Sequence, residues 1–338
     1  MTMMKIVAVL LLAVASFTAS AQQITGAGAT FPYPIYAKWA EVYNKETGVK
    51  FNYQSIGSSG GVRQITNKTV NFGASDAPVA GDVLDKNGLL QFPAVLGGVV
   101  PVANLEGFKP GELRLTGQVL ADIYQGLILK WNDPKIAKLN PGKNLPNQNI
   151  TVVHRADGSG TTYHFTDYLA TVSKSWADNV GKGNAVKWPA ASSVGGKGNE
   201  GVAANVRRVA GAIGYVEYAY AKKNNIKHLQ LQNRDGQYVN PSEESFAAAA
   251  ADADWFSKPG MGISIIDAAG AKSWPIAGAS FILVYAKPAD PKASAEVIKF
   301  FDWAFRNGKT LASELDYVAL PDGLTDAIRS RVWSQIAK

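Results

Sequence analysis

The 338-residue sequence contains no cysteine and only three histidines, His154, His164 and His228. Without thiols there are no disulfides and no thiolate chemistry, and without paired histidines there is no usual ligand set for zinc. No metal or cofactor is therefore expected. Beyond Phe17 no segment approaches the ~18 uninterrupted apolar residues of a membrane-spanning helix. No Walker sequence ending in Gly-Lys-Ser/Thr occurs, so nucleotide hydrolysis is not expected here. Long runs of one charge are also missing. The formal charge of +7 is scattered, with its densest spots at residues 206–208 and 222–223, which reads as a solvated basic surface and not as a nucleic-acid stripe. Neither an internal repeat nor a low-complexity linker is visible.

What the chain does have begins with a leader. Lys5 precedes an apolar run from Ile6 to Phe17, followed by small residues at Ala19 and Ala21. This is the layout of a secretory signal peptide, residues 1–21, with cleavage expected after Ala21. Its loss removes only Lys5 among the charges and takes +7 to +6. With no cysteine to acylate, a free periplasmic protein is expected. The remaining chain of about 317 residues exceeds what one hydrophobic core usually supports, so two lobes are expected.

The same local grammar appears three times: a strand-like run, a turn of small residues, then an amphipathic helix. After residues 24–32, Tyr36, Trp39, Ala40 and Tyr43 recur at helical spacing before Gly48. Val49, Phe51 and Tyr53 alternate as in a strand, followed by the turn 57–61. The apolar run 150–153 leads into 154–162, "HRADGSGTT", after which Phe165, Tyr168, Leu169 and Val172 share one helical face. The class is α/β. Helices are further expected within 115–131, 245–256, 294–308 and 325–338, and strands at 211–218 and 280–287. The apolar segments 91–105 and 274–286 are the candidate crossings between lobes. Residues 22–98 and 276–338 would form one lobe, and 99–275 the other.

The first amides of a helix lack intrahelical partners, and the helix dipole favours an anion there. Glycine permits close backbone approach, and serine and threonine add hydroxyl donors. Several such turns facing one another would make an oxyanion cage. Arg155 ends a strand just before the third turn, so its planar fork of donors can lie across the amides of Ser159, Gly160 and Thr161. Asp157, two residues on, can pair with that arginine and fix its orientation. Asp76, in "FGASDAP", brings a carboxylate to an anion site. Hydrogen phosphate can donate its proton to such an acceptor, whereas sulfate has none to give and would meet repulsion.

Residues 25–32 (TGAGATFP), 57–61 (GSSGG), 72–78 (FGASDAP), 155–161 (RADGSGT) and 211–221 (GAIGYVEYAYA) together resemble the periplasmic phosphate-binding proteins of ABC-type phosphate uptake, the PstS family. The likeness runs through nearly all of the chain after the leader. It implies a two-lobe periplasmic-binding-protein fold, with hinge strands and a ligand cleft between the lobes. It also implies a monomer that captures inorganic phosphate and delivers it to an ABC-type inner-membrane permease. By the same resemblance the ligand groups are Ala29, Thr30 and Phe31 of the first loop, Ser58 of the second, the acceptor Asp76, and Arg155, Ser159, Gly160 and Thr161 of the third. Ala29 is the one whose role in shaping the turn competes with a role in binding.

The alternatives are a receptor for another oxyanion, such as sulfate or molybdate, and a serine esterase or phosphatase built on the same cage. Asp76 argues against the first. Against the second, residue 157 is aspartate where a nucleophile elbow needs glycine, and His164 is expected to be a surface or partly packed side chain. No enzymatic activity is expected. The pattern G-x-G-x-x-G at 196–201 has a poor strand before it, so it reads as a helix-capping turn and not as a dinucleotide site. His154 receives no role from the sequence.

Overall fold

A computed structural model describes residues 23–337; the expected leader at 1–21 lies outside the described residues. The chain begins with β1 (Gln23–Gly28), α1 (Tyr33–Thr47), β2 (Lys50–Ser55), α2 (Ser58–Thr66), β3 (Phe72–Ser75) and α3 (Gly81–Asn87). β1 lies between β2 and β3, parallel to both. α1 forms because Ile35, Tyr36, Trp39 and Tyr43 fall on one buried face, and it stops at Gly48, whose φ of 75° is left-handed.

β4 (Leu89–Ala103) follows. All of its residues except Leu90 are buried, which is why its sequence reads as apolar without alternation. Next come β5 (Arg114–Leu115), α4 (Gly117–Tyr124), α5 (Pro134–Leu139), β6 (Thr151–Arg155), α6 (Gly160–Val172), α7 (Lys174–Asn179), β7 (Ser193–Gly196), α8 (Gly198–Arg208) and β8 (Ala212–Glu217). β6 lies between β7 and β8, parallel to both. After α9 (Tyr218–Lys223), the short β9 (Lys227–His228), β10 (Gln230–Gln232) and β11 (Tyr238–Val239) lead to α10 (Glu243–Ala250). β12 (Ala277–Tyr285), α11 (Pro291–Asn307), α12 (Lys309–Ser313) and α13 (Asp322–Ala327) close the chain. Beyond α13 the backbone widens and then tightens over 328–335, so the helix expected at 325–338 is broken. The helix expected within 115–131 ends at Tyr124, and the loop after it leaves Leu127 and Leu129 exposed.

The strands run in the order β2-β1-β3-β12-β4-β8-β6-β7, with β9 also on β4. Two parallel sets thus flank the long antiparallel pair β12 and β4. β4 changes partner along its length: Leu89–Gly98 pair with β12, whereas Val99–Ala103 pair with β8. The carboxyl ends of β1 and β3 from one set, and of β6 and β7 from the other, feed the turns described next. Ligand sites of open α/β sheets form at such ends. Each set has its own aromatic packing. Phe51, Phe72, Phe92, Phe300 and Phe301 contact one another beside the first. Tyr124, Phe165, Trp188 and Tyr215 do so beside the second.

Candidate anion-binding site

Arg155 is the last residue of β6, and packing fixes its backbone. Its amide donates to the hydroxyl of Tyr215 at 3.2 Å, and the Tyr215 ring stacks on Phe165 with 4.1 Å between centroids. The guanidinium makes a fork-on-fork pair with Asp157: Nε to Oδ1 at 2.8 Å and Nη2 to Oδ2 at 2.6 Å. Nη1 donates to Thr161 Oγ1 at 3.3 Å. Asp157 Oδ1 also accepts the Gly198 amide at 3.0 Å. Burial pulls the Asp157 carboxyl upward, but Arg155 and the amide outweigh it and hold the group below the ordinary carboxylate range. The pair is therefore ionised on both sides, and its net charge is close to zero.

From the other strand set, Ser58 opens α2 and Asp76 follows β3. Ser58 Oγ accepts the Asp76 amide at 3.1 Å and, across the two sets, the Gly160 amide at 3.0 Å. It also lies 3.4 Å from Asp76 Oδ2 as donor. Only glycine fits at 160, where a Cβ would come within 2.5 Å of Ser58 Oγ and of Asp76 Cβ. Burial lifts the Asp76 carboxyl to about 7, although the Ser280 hydroxyl, Arg155 and Ser58 all pull it down. Thr30, Ser58, Asp76, Arg155, Ser159 and Thr161 are each at most 4 % exposed, so water has little access.

The structure brings the sequence-predicted residues together, but not all of their donors are free. The Ala29 amide donates to the Ala74 carbonyl at 3.0 Å, a bond that favours its turn-shaping role. The Ser159 amide donates to Asn184 O at 2.8 Å, and its hydroxyl caps α6 by accepting from the Thr162 amide. Among the described residues no acceptor faces the amides of Thr30, Phe31 and Thr161.

Sequence reasoning placed a helix-capping turn at 196–201 but missed that it joins the site. The pattern at 196–201 does follow a strand, since β7 pairs in parallel with β6 over Ser193–Gly196, and it opens α8. Asn199 there donates through Nδ2 to Thr30 Oγ1 at 2.7 Å and to Thr161 Oγ1 at 3.1 Å, joining the first and third loops. The Asn199 amide also donates to Thr30 Oγ1, at 3.1 Å. The signal was the Gly-Asn step, with Gly198 at a φ of 70°. Tyr220 and Tyr317 were missed as well: they donate to the carbonyls of Thr30 at 2.7 Å and Phe31 at 2.6 Å, which orients the opposite amide faces.

Two histidines are now placed. His164 is only 4 % exposed, against the expectation of a surface or partly packed ring. It packs beside Phe31 and so tightly on β12 that a Cβ on Gly278 would meet its Nε2 at 2.4 Å. Desolvation lowers it to about 4, which keeps it neutral. His154 stacks on Trp188 at 4.9 Å, and its Nδ1 lies 2.9 Å from Arg155 O. Among the described residues no group of three or more His, Asp or Glu side chains is placed to hold a metal.

Residues 13–307 match the family model of the PBP superfamily domain. The phosphate-binding protein PstS of Pasteurella multocida is 56% identical over 316 residues, covering 94% of this chain and 91% of that protein. The phosphate-binding protein PstS of Haemophilus influenzae is 56% identical over 313 residues, covering 93% of each. Among solved structures, a high affinity periplasmic phosphate-binding protein (PfluDING) bound with phosphate shares the fold, with a TM-score of 0.74 at 21% identity over 91% of this chain and 93% of that one. The phosphate binding protein of Stenotrophomonas maltophilia does so with a TM-score of 0.70 at 19% identity, covering 92% of this chain and 94% of that one. With two near relatives at this identity over almost their whole length, the chain belongs to the PstS family of phosphate-binding proteins within the PBP superfamily.

Proposed function

We propose that the protein captures inorganic phosphate between two lobes in the periplasm and delivers it to an ABC-type phosphate permease. One observation carries the reading: the cluster sets a single guanidinium against two carboxylates, the half-buried Asp157 and the fully buried Asp76. With Arg155 already neutralised by Asp157, a fully ionised anion would meet an uncompensated Asp76. An anion that keeps a proton turns the same carboxylate into a hydrogen-bond acceptor. Sulfate and molybdate receptors are disfavoured on this ground.

The ligand groups in this reading are the amides of Thr30, Phe31 and Thr161, the hydroxyls of Thr30, Ser58, Ser159 and Thr161, the close backbone approach at Gly160, Arg155 as donor and Asp76 as acceptor. Asp157 holds the arginine. A micromolar affinity needs about 8 kcal/mol, and charge-assisted hydrogen bonds of roughly 1.5–3 kcal/mol each supply it after desolvation and closure. Lobes at 22–98 with 276–338, and at 99–275, are supported by the change of partner along β4 between Gly98 and Val99. Closure would swing the α6 and α8 turns onto the α1 and α2 turns about that point.

The protein acts as a monomeric receptor and not as an enzyme. The Ser159 hydroxyl is spent on its own helix, and the nearest histidine along the helix, His164, is held neutral behind Phe31. The test is calorimetric titration of the secreted chain, freed of residues 1–21, with phosphate and sulfate. Phosphate should bind at least as tightly as micromolar and sulfate should give no heat at the same concentrations, while a chromogenic phosphate ester releases no product. Binding of sulfate at comparable affinity would reject the reading.

A further inference from the structure

Around Asp76, where β12 runs beside β3, three polar atoms lack any hydrogen-bond partner: Oδ1 of Asp76, Oγ of Ser280 and the phenol oxygen of Tyr36. The residues come from the end of β3, from β12 and from α1, and none is more than 1 % exposed. The Ser280 hydroxyl acts on both of the others, lowering the proton affinity that burial raises in the Asp76 carboxyl and in the Tyr36 phenol. Tyr36 in turn feels the Asp76 charge.

The two carboxylate oxygens have different surroundings. Oδ2 faces Ser58 Oγ and Gly160, where a Cβ would stand 2.7 Å from it. Oδ1 is the one left without a partner. Ser280 is brought to it by an irregularity in the sheet: Ser280 pairs with Val95 and Phe281 with Pro93, so Ala94 is an extra residue in β4. Bulges of this kind re-aim side chains beside functional sites. The other groups facing Asp76 are committed elsewhere. Arg155 is held by Asp157, the Tyr53 hydroxyl donates to Ala29 O, and the Tyr317 hydroxyl donates to Phe31 O. Buried donors and acceptors are rarely left unpaired. An ionised carboxylate only accepts and each hydroxyl carries one proton, so a single chain would satisfy all three once the side chains turn toward one another: Tyr36 O–H to Ser280 Oγ, and Ser280 O–H to Asp76 Oδ1.

We infer that Ser280, backed by Tyr36, is a positioning residue that keeps Asp76 a hydrogen-bond acceptor and thereby sets which protonation state of the oxyanion the site accepts. The inference rests on the phosphate reading above. Without a donor at Oδ1, Asp76 takes up its own proton more readily, and a protonated carboxyl donates to a fully ionised anion in place of accepting from a protonated one.

The test uses Ser280→Ala, Tyr36→Phe and Ser280→Thr in the chain freed of residues 1–21, each titrated with inorganic phosphate and with sulfate from pH 5 to 9. In Ser280→Ala the fall of phosphate affinity on the acid side should move up by about one pH unit, and the phosphate-to-sulfate affinity ratio should drop about tenfold. Tyr36→Phe should shift both in the same direction by less, and Ser280→Thr should restore both. If Ser280→Ala does not fold, Tyr36→Phe carries the same test. An unchanged pH profile and ratio, or a loss of affinity that is uniform across pH, overturns the inference while leaving the phosphate reading intact. Failure of the unsubstituted chain to bind phosphate overturns the phosphate reading and the inference with it.

Discussion

Asp76 is an acid in the proposed anion-binding cluster, and its surroundings give it two measurable signatures. Its folded carboxyl is raised to about 7 from an ordinary 3.8. The folded state therefore holds a proton that the unfolded chain has released, so stability is present below the ordinary carboxylate range and is lost as pH rises through about 7. Asp76→Asn removes that loss: the ligand-free variant should be more stable than the parent at pH 8, by up to about 4 kcal/mol, and equal to it at pH 4, as read by thermal melts. The same substitution turns an acceptor into a donor and should narrow the preference for phosphate over sulfate at least tenfold, while arsenate, which keeps a proton, still binds. Arg155 was legible in the sequence because a lone guanidinium ends a strand just before a small-residue turn; Asp76, which by itself reads as an ordinary cap or turn residue, was legible through the resemblance of FGASDAP to the family. Asn199, Tyr220 and Tyr317 were not, because they act through contacts across 169, 190 and 286 residues of chain, which no local pattern encodes.

The element that matters most is the helix N-terminus, here repeated in α1, α2, α6 and α8. Gly57, which precedes α2, has a φ of 89°, and a Cβ there would meet Asp157 Oδ2 at 2.3 Å and Gly158 O at 2.8 Å, both from the opposite strand set. Gly57→Ala should therefore fold, by circular dichroism, yet lose affinity by a hundredfold or so, since the added methyl blocks the approach of the β6–α6 turn. Ser159 separates capping from binding. Ser159→Ala should cost about 1 kcal/mol of stability and Ser159→Gly only a few tenths, while both lose the hydroxyl offered to the anion equally. Three of the four turns could be read from strand-like runs followed by small residues. The fourth was read only as a helix-capping turn because β7 is only four residues long and rich in glycine; it is a strand by virtue of its pairing to β6 and not of its own propensity. The apolar run 91–105 was readable as a buried strand, but its change of partner is a property of the sheet.

At the scale of the whole molecule, buried polar groups gather where β4 changes partner, the point about which the proposed closure would turn. Glu217, beside the partner change in β4, is completely buried, and its proton affinity is well above the ordinary carboxyl range because of desolvation. Its Oε2 accepts the Ala219 amide at 3.0 Å and lies 2.8 Å from the Tyr317 hydroxyl. A raised folded value means stability present at low pH and lost as pH rises through that value, so Glu217→Gln should hold its melting temperature on the alkaline side where the parent declines. Dipoles at contact distance are poorly screened, so phosphate affinity should also change little with ionic strength in titrations at low and high salt. The central claim, that an uncompensated carboxylate admits only an anion bearing a proton, is tested most directly by competitive calorimetry of phosphate against sulfate on the unsubstituted protein at pH 8. Phosphate binding should be undisturbed by a thousandfold excess of sulfate; displacement of phosphate by sulfate at that excess would contradict the claim.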